Sequence, residues 1–484
     1  MKHDITRRDF VKLTASAGAA LSLGSLYGCE PRSEAVRTVA MVDDGAIGRF
    51  ADGFTGQLIR PGDTAYDAAR RVWNARFDKH PGMIARCDGV EDVVRAVDFA
   101  RNQDLLVAVR AGGHSSAGHS TCDGGVVIDL SGMRTMSIDP RRRIAHAEPG
   151  LRVGEVDQAT QGAGLAAVLA ECPSVGLGGF TVGGGEGMLM SKYGLACDNL
   201  LSAEVVLADG SVVTASPESD PDLYWAIRGG GGNFGIVTSF EYRLHELTQV
   251  LAGPLVWDIS QGASVLRFYR EFAASAPDEL TTSARFLALP TGPAFLIATC
   301  YAGDISAGEE VLRPLRSFGT PMADMVAPMT YLQSQSMGGA AAGASSTTRS
   351  GYLSALSDET IDTLQEFAND APPVFVLALA HLHGAVTSMR SGATAFPMRE
   401  PGFDLWTMGV WQDPGQAEAA TEWVNRVWGA VADPNGPGYV NAMDTVPQDR
   451  VRAAYGENYR RLAQLKRRYD PDNLFRMNQN VVPA

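Results

Sequence analysis

Arg110-Ala111-Gly112-Gly113-His114-Ser115, and further along Glu171-Cys172-Pro173-Ser174-Val175-Gly176-Leu177-Gly178-Gly179 with Gly183-Gly184-Gly185 close behind, are the runs from which this chain is read. The first closes the apolar stretch Leu105–Val109 and delivers a histidine from a glycine pair. The second delivers a cysteine into a run of glycines. Glycine lets a backbone approach a bulky cofactor closely and present N–H groups to phosphates or ring carbonyls. A nucleophilic imidazole and a thiol beside such a cradle predict two covalent tethers to one cofactor. Cofactors carry the hard redox chemistry while the protein orients and tunes them, so a double tether points to redox work.

Two further runs extend the pattern: Asp222-Leu223-Tyr224-Trp225-Ala226-Ile227-Arg228-Gly229-Gly230-Gly231-Gly232-Asn233-Phe234-Gly235-Ile236-Val237-Thr238-Ser239-Phe240, and the closing Tyr469-Asp470-Pro471-Asp472-Asn473-Leu474-Phe475-Arg476-Met477-Asn478-Gln479-Asn480. In this order, the runs resemble the berberine-bridge-enzyme-like branch of the vanillyl-alcohol-oxidase/p-cresol-methylhydroxylase flavoprotein superfamily, over nearly everything after Thr64. The resemblance implies an α+β fold. It places a two-part FAD-binding domain in 64–247 and 433–484, and a substrate domain in 248–432 with an antiparallel sheet covered by helices; the leader in 1–29 reads separately as a signal.

The resemblance also assigns residues. FAD is expected on His114 through the 8α-carbon and on Cys172 through C6; members with one tether lack this cysteine. His119 is the lesser competitor for His114. Arg110, Gly112, Gly113, Ser115, Gly118, Gly176, Gly178, Gly179, Gly183, Gly184, Asn233, Gly235, Ile236 and Val237 are expected to wall the flavin, with Asn478 and Asn480 on the ring or closing the domain. Tyr439 stands where the family supplies a tyrosine base, although Ala442 replaces a second tyrosine common there. Such a phenol, titrating near pH ~10, needs cationic surroundings to act near neutrality. His381 and His383 alternate in a strand-like run and so share one face, as substrate-side groups or as a satisfied polar pair. Glu186 replaces an apolar or aromatic residue of the family, either near the flavin or facing solvent. The loose GxGxxG of Gly183–Gly187 lacks the βαβ unit of a dinucleotide fold.

Composition is ordinary for a globular protein. The 484 residues, 45% hydrophobic and 20% charged, allow two to three units with ample core. A net charge of −14 with no basic run beyond the N-terminus argues against a nucleic-acid partner. Thr6-Arg7-Arg8-Asp9-Phe10-Val11-Lys12 before an apolar stretch too short to span a membrane predicts twin-arginine export. The alternative to export is a cytoplasmic amphipathic N-terminus. Leu26-Tyr27-Gly28-Cys29 resembles a lipobox with Tyr27 an unusual choice, and the resemblance makes Cys29 the residue that would receive lipid. Cys87, Cys122, Cys197 and Cys300 are expected as buried thiols, and no Cys/His set has metal spacing.

Hydrophobic periodicity predicts helices over Val90–Asn102, Val153–Gln161, Ala307–Ser317 and Asp358–Ala368. It predicts strands over Leu105–Val109, Val126–Leu130, Val256–Asp258, Ala284–Leu289, Ala294–Tyr301 and Val374–Leu379. Residues 30–60 are expected as a connecting tail, and Gly338–Thr348 as a mobile loop. The functional expectation is an exported FAD-dependent oxidase. It would remove hydride from an alcohol carbon of a bulky small-molecule substrate, an oligosaccharide or glycosylated metabolite, and pass electrons to molecular oxygen with release of hydrogen peroxide. The alternatives are a flavin-dependent dehydrogenase or tailoring enzyme with another acceptor, and a drug-sequestering resistance protein.

Overall fold

The computed structural model describes residues 44–338 and 343–484. The twin-arginine run and Cys29 lie outside the described residues.

The helix Val90–Asn102 forms with the expected bounds. Its stripe of Val93, Ala96, Val97 and Ala100 is buried. Glu91 and Asp92 in its first turn and Arg101 in its last suit the helix dipole. It packs near a four-stranded sheet ordered Gln57–Ile59, Met83–Arg86, Val126–Asp129, Val107–Arg110, whose last three strands are parallel. The segment from 44 to 59 is less of a tail than its composition suggests. Asp44–Ala51 is helical, and its Ala46, Ile47 and Phe50 are buried in the core of this layer.

A second sheet is antiparallel, ordered Met136–Asp139, Ile144–Ala147, Ile236–Arg243, Leu200–Val206, Val212–Ala215. Its core draws on the far end of the chain: Val440, Tyr455, Leu462, Tyr469 and Val481 pack with Leu177, Phe234 and Phe240. The closing run is held by a buried ion pair. Lys466 Nζ meets Asp470 Oδ2 at 2.7 Å and donates to the carbonyls of Asn233 and Phe475 at 2.8 Å, while Asp470 accepts from the N–H groups of Leu474 and Phe475. Every donor of the buried ammonium is thereby used, as burial of a charge demands.

The third sheet runs Ala323–Asp324, Gln249–Asp258, Gly292–Tyr301, Leu280–Leu289, Phe375–Leu382, Gly402–Trp411, Ser345–Leu353, all antiparallel. The helices Gly262–Ala273, Ile305–Ser317, Asp358–Asn369 and Ala417–Val431 cover one face, over a core of Trp257, Phe286, Phe295, Phe375, Leu405 and Trp423. The expected α+β architecture with a helix-covered antiparallel sheet is therefore present. The expected loop at 338–348 is corrected in part. Ser346, Thr347 and Thr348 are buried in a strand paired to Gly402–Trp411, while residues 339–342 lie outside the described ones. Cys87, Cys122, Cys197 and Cys300 are buried free thiols.

Candidate active site

The two diagnostic loops touch. A Cβ on Gly112 would lie 2.3 Å from the Gly176 nitrogen, and one on Gly176 would lie 2.1 Å from the Gly112 nitrogen. Only glycine permits that approach, and it brings His114 and Cys172 onto the wall of one cavity of about 530 Å³. Gly113 turns the chain with φ of +73° between them. The Trp73 ring stacks on His114 with centroids 5.0 Å apart. Burial, with the nearby charge of Arg152, pushes the His114 imidazole down to about 4, so it is neutral near pH 7. Cys172 Sγ lies 3.2 Å from Ser174 Oγ. Beside it, Glu171 takes both its hydrogen bonds from Arg285 Nη2, at 2.6 and 2.8 Å.

The opposite wall is the uncovered face of the third sheet. Strand alternation sends Thr281, Ser283 and Arg285, then Val376, Ala378 and Ala380, then Trp406 and Met408 into the cavity. The register sets Arg285, Ala378, Trp406 and Ser350 in one row, and Ser283, Ala380 and Asp404 in the next. Tyr439, Asn441 and Glu186 close the end between the walls.

Among the predicted residues, His114, Cys172, Gly112, Gly113, Ser115, Gly176, Gly178, Gly179, Gly235, Ile236, Val237, Tyr439 and Asn478 line the cavity. Six predicted flavin residues do not, and pack instead. Arg110 is buried and paired with Asp129 at 2.7 Å. A Cβ on Gly118 would enter the Phe77 ring, one on Gly183 the Asn441 amide, and one on Gly184 the Phe396 ring. Asn233 binds the carbonyls of Gly230 and Gln479 and the N–H of Val481, tying the chain end into place. Asn480 accepts through its backbone carbonyl from Gln448, and its Oδ1 is buried without a protein partner.

His381 and His383 are also corrected. They do share a face, but it is the other one: Val376, Ala378 and Ala380 point into the cavity, so His381 turns toward the helices and stacks on Phe403. The two imidazoles stack on each other at 4.2 Å, and His383 Nε2 meets the Leu280 carbonyl at 2.9 Å. They form a stacked pair away from the cavity, with His383 hydrogen-bonded and His381 Nδ1 buried without a protein partner, and not a substrate-side group.

Tyr439 reaches the cavity with its oxygen fully engaged. It accepts from Gly185 N at 3.1 Å, Glu186 N at 3.3 Å and Asn441 Nδ2 at 3.0 Å. Burial and the Glu186 carboxyl push the phenol up against these three donors. Glu186 does not face solvent. Its carboxyl is buried on the cavity wall and hydrogen-bonded with Asp404, and burial and that neighbour raise its pKa well above the usual range. Asp404, Trp406, Trp73 and the Glu171–Arg285 pair escaped sequence reasoning. A carboxylate and an indole alternating with Phe403 and Leu405 in one apolar strand were the available signal.

The cavity wall fits a large planar ligand. A Cβ on Gly179 or Gly232 would meet no protein atom within 4 Å and would stand in open space. Trp73 Nε1, both His119 ring nitrogens and Asn478 Oδ1 are buried around it without a protein partner. Unpaired buried polar atoms are costly unless a ligand satisfies them. Among the described residues no group of His, Cys, Asp and Glu is placed to hold a metal.

A family model described as an FAD binding domain matches residues 81–216, and one described as berberine and berberine like matches 438–482. The (R)-6-hydroxynicotine oxidase of Paenarthrobacter nicotinovorans is 32% identical over 455 residues, covering 88% of this chain and 97% of that protein. The crystal structure of 6-hydroxy-D-nicotine oxidase from Arthrobacter nicotinovorans has a TM-score of 0.82 at 30% identity, over 89% of this chain and 98% of its own. That of the xylooligosaccharide oxidase from Myceliophthora thermophila C1 in complex with xylobiose has a TM-score of 0.81 at 26% identity, over 91% and 99%.

Proposed function

We propose that this chain, which belongs to the berberine-bridge-enzyme-like family of FAD-linked oxidoreductases, is an oxidase acting on an alcohol carbon of a bulky substrate, with its flavin joined to both His114 and Cys172. The single observation that carries this reading is the backbone contact of Gly112 with Gly176, which seats an imidazole and a thiol on one glycine-walled cavity. FAD held there would supply the hydride acceptor and the route for electrons to oxygen, with hydrogen peroxide as product. The chain's own part is to bind, orient and deprotonate. Gly179 and Gly232 keep the flavin wall flat, Gly176 lets the two loops close, and Asn478 brings an unpaired amide oxygen to the wall. Thr281, Ser283 and the Glu171–Arg285 pair give the sheet wall hydroxyl and charged groups suited to a polyhydroxyl substrate. Two tethers would hold the flavin without the protein enclosing it, which suits an oligosaccharide or glycosylated metabolite.

The leader supports export by the twin-arginine route, with Cys29 as a candidate lipid site. Replacing Arg7 and Arg8 by lysine should strand the protein in the cytoplasm; unchanged extracytoplasmic activity would refute the route. The oxidase reading is tested by anaerobic mixing with sugars, alcohols and polyketide glycosides. At least one should bleach the flavin, and admission of oxygen should restore its colour with one peroxide per product. No bleaching by any alcohol would contradict the reading, and reoxidation by dyes but not oxygen would make the protein a dehydrogenase.

A further inference from the structure

Glu186 and Asp404 come from distant parts of the chain, the glycine run after helix Leu177–Val182 and the strand Gly402–Trp411, yet their carboxyls share a hydrogen bond. The two are not equivalent. Asp404 is wholly buried and accepts from Ser350 Oγ at 2.7 Å on Oδ1 and from the Trp406 indole N–H on Oδ2. Those donors suit a carboxylate. Glu186 stands on the cavity wall, and its Oε1 is sealed from solvent with no N–H or O–H donor. An ionised carboxyl would leave that oxygen bare in a low-dielectric site, whereas the neutral acid completes itself by donating to Asp404. The arrangement is one proton between two carboxyls, with the ionised member behind and the protonated member facing the substrate.

We propose that the Glu186–Asp404 pair is the base that takes the substrate's hydroxyl proton, Glu186 receiving it from the cavity while passing its own proton to Asp404. This rests on the oxidase reading above. As the substrate O–H bond breaks, its proton goes to one oxygen of Glu186, and the proton already on Glu186 moves to Asp404. Hydride leaves the adjacent carbon for the flavin, so the alcohol is oxidised to a carbonyl and the pair passes from one proton to two. Tyr439 is the weaker candidate, since burial and the Glu186 carboxyl raise its phenol despite the three N–H donors on its oxygen, and it holds the backbone of Gly185 and Glu186 in place. Tyr439 is the titratable group beside Glu186 besides Asp404. Arg285 and Glu171 line the cavity from the sheet and the Cys172 loop, and neutralise each other.

Burial raises both carboxyls, and the fixed donors make Asp404 the member that ionises first. The rate of anaerobic flavin reduction should therefore rise with pH through one ionisation well above the usual carboxylate range, a property of the pair. Glu186→Gln in the holoenzyme should slow that reduction by ~10²–10⁴, as for loss of a general base, with substrate binding little changed and the ionisation abolished. Asp404→Asn should also abolish it. A readout independent of turnover is the infrared carbonyl band of a protonated carboxylic acid: in an Asp157→Asn background, which removes the other buried acid titrating near neutrality, the band should be present at neutral pH and lose the Glu186 component in Glu186→Gln. Wild-type reduction matched in rate and pH profile by Glu186→Gln would overturn the base role alone. Failure of every alcohol to reduce the wild type would overturn the oxidase reading and the base role with it. A spectrum with no acid band assignable to Glu186 would overturn the shared proton.

Discussion

Tyr439 shows how environment decides what a side chain does. Its family position predicts a base; three N–H donors converge on its oxygen and favour the phenolate, while burial and the Glu186 carboxyl act the other way and raise the phenol. Tyr439→Phe removes the acceptor those groups share, at a cost of roughly 1–3 kcal/mol in stability. Thermal unfolding should show that loss. Flavin reduction should slow only about tenfold and keep its pH dependence, well short of the ~10²–10⁴ expected for a lost base; the larger loss, with the ionisation gone, would return the role to the phenol. Asp157 offers a cleaner titration away from the cavity. Burial pushes it up to about 7 despite a hydrogen bond from Gln335. A carboxyl raised in the folded state stabilises below its unfolded pKa and loses that contribution as pH rises through the folded one. Asp157→Asn should therefore gain in melting temperature relative to wild type as pH climbs from about 4 to 7, and a constant difference across that window would contradict the assignment. His381 and His383 mark what parity alone withholds. Alternation puts them on one face, but which face lines a cavity depends on what packs against the sheet.

Elements were legible where one face of a helix decides. Val90–Asn102 was readable to both ends because its apolar stripe and end charges agree. Strands read short. Val256–Asp258 is the tail of a strand beginning at Gln249, because Gly253 and Pro254 interrupt the β-rich composition while pairing to strands on both sides carries the ladder through. The glycine loops divide into two kinds, which substitution separates. Gly112→Ala drives a methyl into the Gly176 backbone and should break the alignment of the two loops, so flavin attachment falls steeply. Gly179→Ala meets no protein atom and should leave the flavin-free protein's melting temperature within about 0.5 kcal/mol equivalent of wild type, while lowering flavin occupancy. Wild-type occupancy in Gly179→Ala would show that the wall does not face the flavin.

At the scale of the molecule, the last strands and the chain end matter most. Asp404 reaches Glu186 only because Gly402–Trp411 pairs in register with Phe375–Leu382, and Tyr439 enters the cavity from a segment that packs into the core of the first half. Neither juxtaposition is visible in local sequence, whereas the His114 and Cys172 loops were, because close backbone approach leaves glycines behind. The central claim is that both loops hold one flavin, and it is tested by denaturing the protein, washing it free of loose ligand and analysing its peptides by mass spectrometry. The account predicts that the colour stays and that one flavin links the His114 and Cys172 peptides, with Cys172→Ala keeping the histidyl bond alone. Colourless denatured protein, or flavin on neither peptide, would contradict it.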